Sequence, residues 1–267
     1  MIDFATEKDY PEIIPVWQSG FDDDAAEDVA EFLAGTSGFC DRLVWREDEK
    51  IVAEMNIIHC NLSVEGEKES AAYFYALATL PEYRGRGIMS SMIRFALDKF
   101  AADGVSYAMI VPAEESLVSY YQRFGFEPIC SAKIADISSE SIFDFPAQTT
   151  RLSPDRLKEL RDKRMGNNAA FSVEYIEFAL RFCEMTAVEF DGGYAVFEHS
   201  DGCVRVIEFD GEVNCMLSAV KGICKSEIYR VYLPDDSLIG EKVCRGMVCP
   251  LGDSKALNKA QIGLIMD

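Results

Sequence analysis

The chain has only two histidines, His59 and His199, and they lie in different halves of its 267 residues. Its nine cysteines never form a C-x-x-C pair, so no His/Cys cluster stands at metal-ligand spacing and no metal is expected. Also missing is any apolar run near the roughly 20 residues that cross a bilayer. The opening stretch, MIDFATEKDY, is acidic where an export signal carries a basic end and an apolar core. These absences predict a cytoplasmic protein without membrane association. Its cysteines, at positions 40, 60, 130, 183, 203, 215, 224, 244 and 249, are then expected to be reduced and buried as small hydrophobic side chains.

Positive charge is scarce too. Lys and Arg number 26 against 46 Asp and Glu, and the net charge of −20 is divided into −16 over residues 1–146 and −4 over residues 147–267. Such a field repels nucleic acid and anionic membranes and attracts a cationic substrate toward the first half. What the chain does have is ample apolar material, 49% of its residues, and a length that suits two ordinary domains.

Periodicity orders the first half as a strand at Ile2–Ala5 and helices at Tyr10–Phe21 and Asp24–Ala34, the second capped by the run DDD. Strands follow at Arg42–Arg46, Ile51–Cys60 and Ala71–Leu80, then a helix at Gly87–Ala102, a strand at Tyr107–Val111, a short helix at Ser116–Arg123 and a strand from Phe126. After the linker DFPAQTTRLSP come helices at Pro154–Lys163 and Val173–Cys183 and strands at Ala187–Phe190, Tyr194–Glu198 and Val204–Phe209. A helix at Val213–Gly222, a strand at Ile228–Leu233 and the segment RGMVCPLG complete the half. The succession of helix, three strands, helix, strand therefore occurs twice. A cut at 146/147 separates the two copies.

One loop stands out. Between the third strand and its helix, PEYRGRGIMSS places two arginines and two glycines at a helix start, where free backbone N–H groups and the helix dipole favour phosphate oxygens. It is neither a Walker loop, which needs G-x-x-x-x-G-K-[ST], nor G-x-G-x-x-G, because Ser90 stands three residues after Gly87. The corresponding loop of the second copy, FDGEV, has one glycine and no arginine.

The pattern Pro81-x-x-Arg84-Gly85-x-Gly87, followed about thirty residues later by Tyr121-Gln122-Arg123-Phe124-Gly125-Phe126, resembles the GCN5-related N-acetyltransferase (GNAT) superfamily. The tandem layout is similar to the Eis-like acetyltransferases without their third domain. The resemblance implies an α/β (α+β) fold: a mixed, mainly antiparallel GNAT-type sheet flanked by helices, followed by a second, degenerate GNAT-like domain. It implies acetyl-CoA as cosubstrate, with the backbone from Arg84 through Gly85, Arg86, Gly87 and Ile88 to Met89 around the pyrophosphate. The main chain of Leu77, Ala78 and Thr79 would lie along the pantetheine arm. Tyr121 matches the family's general acid, and a neutral phenol suits protonation of a leaving thiolate.

Three positions depart from the family's usual residues: Glu82, Met89 and Glu114. The expected activity is direct acetyl transfer to a cationic primary amine, on a small molecule or peptide. Glu54, Glu114, Glu115 and ordered water all remain open as the proton acceptor. Cys60 and Cys130 lack a neighbouring His that would make either a nucleophile. The alternative expectation is a non-catalytic acyl-CoA-binding sensor or scaffold.

Overall fold

A computed structural model of the chain describes residues 1–144, 148–164, 167–200 and 202–264. In chain order the elements are β1 (Ile2–Phe4), α1 (Tyr10–Gln18), α2 (Ala26–Gly35), β2 (Cys40–Glu47), β3 (Lys50–Val64), β4 (Glu67–Thr79), α3 (Ile88–Ala102), β5 (Tyr107–Ile110), α4 (Val118–Gln122) and β6 (Glu127–Ser138). There follow β7 (Thr149–Arg151), α5 (Pro154–Arg164), β8 (Ala169–Ala170), α6 (Val173–Phe182), β9 (Thr186–Phe190), β10 (Gly193–Ser200), β11 (Cys203–Asp210), α7 (Val213–Ile223), β12 (Ile228–Pro234) and β13 (Glu241–Pro250). This is the mixed, mostly antiparallel α/β architecture that the sequence predicts. No helix among the described residues is long and apolar enough to cross a membrane.

Two compact units emerge, and neither is continuous in sequence. The first comprises residues 1–62, 68–127 and 247–258, the second residues 63–67, 128–246 and 259–267. The expected cut at 146/147 falls on residues 145–147, outside the described part of the chain.

In the first unit the sheet runs β1-β2-β3-β4-β5 and is completed by the last residues of β13. The strands β4 and β5 are parallel to each other, with Ala71 opposite Tyr107 through Phe74 opposite Ile110. On its far edge β5 pairs antiparallel with Met247–Pro250, whereas β6, which follows α4 directly, pairs with β12 in the second unit. A strand distant in sequence thus occupies the place beside β5. The helices α1 and α2 pack through Trp17 and Phe32, whose rings lie 5.0 Å apart and 5.9 and 5.2 Å from Tyr75 of β4. The DDD run does not cap α2: its N-cap is Ala25, and Asp24 instead accepts from Trp17 Nε1 at 2.6 Å. A buried indole N–H needs an acceptor, and that need takes the aspartate away from the helix end.

The second unit has the sheet β6-β12-β11-β10-β9-β7. Its one parallel pair among the described strands is β11 with β12, Val204 opposite Tyr229 through Val206 opposite Val231. Met216 and Val220 of α7 pack on Val204, Val206 and Val231 from these strands. Buried cysteines are fewer than expected: Cys40, Cys60, Cys130, Cys203 and Cys249 are buried, but Cys183, Cys215, Cys224 and Cys244 are half-buried.

Candidate active site

The site is built where β4 and β5 part. Their paired register ends at Phe74 and Ile110, and two residues later Ala76 takes φ +47°, a conformation that costs a non-glycine residue energy. Leu77, Ala78 and Thr79 lie beyond this kink, in the segment expected to run along the pantetheine arm. The carbonyl of Thr79 is already engaged, accepting from Arg84 Nε at 2.9 Å.

The R-G-R-G loop follows a single 3-10 turn at Pro81–Tyr83. Gly85 and Gly87 both have positive φ, +75° and +78°, and a Cβ added to either would meet no atom within 4 Å. Their backbone angles demand glycine, while the space a side chain would fill is open to a ligand. Gly87 is the N-cap of α3 and supplies no capping side chain, and no acidic residue stands in the first turn. The first bond of the helix runs from Ser91 N–H to Gly87 O at 3.0 Å, so the N–H groups of Ile88, Met89 and Ser90 have no acceptor within it. Three amides and an uncompensated dipole therefore face outward from a 15-residue helix.

The arginines serve the loop differently from a pair of open forks. Arg84 donates through Nε to Thr79 O and through Nη2 to Ser19 O at 2.5 Å, tying the loop to the end of β4 and to the end of α1. Its own N–H is taken by Pro81 O at 3.2 Å, which narrows the open amides to the residues after it. Arg86 donates to Glu82 O at 2.7 Å and lies over the Tyr83 ring at 4.8 Å. Both guanidiniums hold the loop's shape. Nothing in the local sequence announces the reach of Arg84 to Ser19, because the partner is a backbone carbonyl 65 positions away.

Tyr121, on α4, is 7% exposed, with its ring edge-on to Tyr120 at 5.3 Å and to Phe126 at 6.3 Å. Burial pushes its pKa up to about 12, with Tyr120 adding to the effect, so it remains a neutral proton donor through the physiological range. Its neighbour Tyr120 meets Ser90 Oγ at 3.2 Å, which ties α4 to the first turn of α3. The tyrosine helix and the glycine-capped helix are thus joined side chain to side chain.

The Acetyltransferase (GNAT) domain family matches residues 1–129. Residues 1–129 thus carry a GNAT domain. Among solved structures it is similar to a probable N-acyltransferase from Enterococcus faecalis, with TM-score 0.78 at 13% identity, covering 94% of this chain and 72% of that one. It is likewise similar to Eis1 from Mycobacterium abscessus, with TM-score 0.68 at 14% identity, covering 94% and 73%. A tandem GNAT protein from the clavulanic acid biosynthesis pathway aligns with TM-score 0.60 at 10% identity over 96% of this chain and 100% of that one. No curated protein matches. At these identities the likeness is one of fold, and the fold is the tandem GNAT arrangement.

Within the GNAT domain the three carboxylates separate by environment. Glu114 and Glu115 are exposed, and Glu114 Oε2 accepts from Ser116 Oγ at 3.0 Å. Glu54, on β3, is fully buried; its Oε2 accepts from Asn56 Nδ2 at 3.0 Å and its Oε1 has no partner. Burial drives its pKa well above the carboxylate range, against the opposing pull of Arg42 and Asn56. A hydrogen bond from Leu80 N–H to Val52 O at 2.9 Å sets β3 against β4, and two residues further along each strand stand Glu54 and Ala78. The thiols of Cys60 and Cys130 are both raised by burial, the opposite of what a nucleophilic cysteine needs.

The second GNAT-like unit repeats the strand fork but not the cradle. The N-cap of α7 is Glu212, whose carboxylate accepts from Cys215 N–H at 3.0 Å and so occupies the position an anion would take. A Cβ on Gly211 would stand 3.0 Å from Gly192 O and 3.2 Å from Gly193 Cα, so this glycine answers to packing inside the unit. Among the described residues no helix lies between β12 and β13, where the first unit carries α4 after β5.

Proposed function

We propose that the protein is an acetyl-CoA-dependent N-acetyltransferase that acetylates a cationic primary amine by direct transfer. The observation that carries this reading is the glycine-capped start of α3, with three unengaged N–H groups and side-chain space beside Gly85 and Gly87, joined through Ser90 and Tyr120 to the helix that bears Tyr121. The residues suit the pyrophosphate of CoA: amides from Gly85 to Ser90 donate, and the helix dipole favours the negative charge. The bound cosubstrate supplies an acetyl group already activated as a thioester. Tyr121 holds a proton at its phenolic oxygen for the sulfur as the carbon–sulfur bond breaks.

The amine arrives as an ammonium, with a pKa near about 10, and must lose a proton before its nitrogen forms the new amide bond. Of the three carboxylates, Glu54 has the environment of a base, since its burial raises its affinity for a proton and its Oε1 is without a partner. It lies at full burial, so the proton reaches it by way of an ordered water. The acidic first half, net −16, supports a cationic acceptor. The second unit binds no CoA in this reading, because Glu212 closes α7.

A free-thiol assay of CoA release, run with acetyl-CoA against a library of aminoglycosides, polyamines, lysine peptides and N-terminal peptides, tests the reading. Release with at least one primary amine, and none with its N-acetylated form, is expected. Tight acetyl-CoA binding with no release for any amine would instead establish a sensor.

A further inference from the structure

The fork of the second unit holds a cavity of its own. Where β11 and β12 part, beyond the Val206–Val231 pair, a space of about 290 Å³ opens, all of whose lining residues belong to this unit. Its volume is that of roughly ten waters at about 30 Å³ each and lies just under the span typical of drug-sized ligands, about 300–1,000 Å³. The cavity is small and mixed in character, with Ile207, Leu233 and Ile262 among the walls beside charged groups.

One of those charged groups is unusual. Glu208 is 4% exposed, and its Oε1 accepts from Arg161 Nε at 2.8 Å and from Tyr194 OH at 2.6 Å, while its Oε2 has no hydrogen-bond partner. Arg161, itself 1% exposed, holds the carboxylate in place through that contact. Both Glu208 and Gly263 line the cavity, and a Cβ on Gly263 would stand 2.1 Å from Oε2. A side chain at 263 would collide with that oxygen, so glycine is required beside it. A buried carboxylate oxygen with an unused lone pair asks for a donor, and native folds carry few such groups without a use for them.

The same cavity has cations at its rim. Arg245 lies over the Tyr232 ring at 3.6 Å, and Lys259 is exposed. Of the further acidic wall residues, Asp235 is engaged by Lys242 at 3.1 Å, and Asp210 stands at the end of β11. The walls thus combine a buried acceptor in need of a donor, a short apolar stretch, and a cationic rim.

From this arrangement we infer that the second unit binds a small zwitterion of the α-amino-acid type, its ammonium group on Glu208 Oε2 and its carboxylate toward Lys259 and Arg245. This site is separate from the GNAT cradle and goes beyond the acetyl-transfer reading. A simple amine lacks a group for the rim and a dicarboxylate lacks one for Glu208, so only the zwitterion answers both ends.

Calorimetry on the full chain, with each of the twenty proteinogenic amino acids as probe, tests the site. At least one should bind at one per chain. Its methyl ester and its des-amino acid should each bind at least tenfold more weakly. Lys259→Glu alters an exposed side chain, and Ala132→Phe fills the cavity; the first should weaken binding about fivefold or more and the second abolish it. Acetyl-CoA affinity should be unchanged in both variants, which separates this site from the first unit. The inference is overturned by no binding of any amino acid up to about 5 mM, by equal binding of the ester or the des-amino acid, or by binding that survives both substitutions.

Discussion

In each unit a parallel strand pair forks ahead of a helix, and the two helices begin in opposite ways. At α3 the cap is Gly87, with no side chain and open space around it; at α7 it is Glu212, whose own carboxylate takes an amide of the first turn. An anion can occupy the first end and is forestalled by like charge at the second. The glycines show the same division. Gly85 and Gly87 touch nothing that would exclude a Cβ, whereas Gly211 is pressed against Gly192 and Gly193. A glycine-containing turn before a helix is therefore no mark of phosphate binding; the mark is a glycine whose missing side chain the protein itself does not use.

The largest effect that would sharpen this contrast concerns α4, which has no counterpart among the described residues of the second unit. Tyr121→Phe keeps the buried ring and removes its proton, so turnover should fall by roughly 10²- to 10⁴-fold, in kcat more than in the KM for acetyl-CoA. Steady-state kinetics on the acceptor found by the library decide it, and a fully active, folded variant would make Tyr121 a packing residue only.

Next in size is Gly87→Asp, which gives α3 the acidic cap that α7 already has. Affinity for CoA by calorimetry should drop at least tenfold, about 1.4 kcal/mol. Aspartate at φ +78° strains the backbone by about 1–2 kcal/mol, but its Cβ meets no atom within 4 Å, so a folded variant is expected and is checked by its Tm. Undiminished affinity would show that the cap residue does not decide which helix start accepts an anion.

A third test contrasts the two buried glutamates. Glu208 is ion-paired with Arg161, while Glu54 has Asn56 on one oxygen and nothing on the other. Burial raises the folded-state pKa of Glu54 above its ordinary value of 4.5, so its contribution to stability is fully present below that pH and is lost as pH rises through the folded value. Glu54→Gln, which mimics the neutral form, should therefore raise Tm relative to wild type at pH 8 and leave it nearly unchanged at pH 4, each kcal/mol reading as roughly 2–4 °C. Equal shifts at both pH values would refute the buried, proton-avid carboxyl. If Glu54 is also the base, the same variant loses acetyl transfer.

The smallest effect is expected of Glu212→Gly. It opens the start of α7 without supplying loop, fork or tyrosine, so CoA titration should still saturate at one per chain, with stability lowered by no more than about 1 kcal/mol. A second CoA site in this variant would mean that the cap alone separates the two units.

The order of elements could be read from the sequence because periodicity and breakers are local. The stripe along Ile88, Met92, Ile93, Ala96 and Phe100 is buried as its spacing requires, and the R-G-R-G loop lies between a strand and a helix as its composition suggests. What could not be read depends on distant partners. Asp24 looks like a cap until Trp17 claims it, and Arg84 looks like a phosphate ligand until Ser19 and Thr79 take its donors. Glu54, Glu114 and Glu115 look alike in sequence, and only packing separates the buried one. The pairing of Tyr107–Ile110 with Met247–Pro250 has no local signature, since four apolar residues fit either side of many strands.

That pairing bears on how the protein is made. A ribosome releases β5 about 140 residues before the strand that covers its far edge, and until then Tyr107–Ile110, all four buried in the finished unit, offers an open edge to other chains. Contacts of such long range also close slowly. The GNAT match lies wholly within residues 1–129, yet the unit that carries it is completed by residues 247–258, after most of the second unit has been synthesised. A chain cut after β6 would display the loop, the fork and Tyr121 on a sheet with a raw edge, a target for chaperone capture or aggregation rather than a smaller working enzyme.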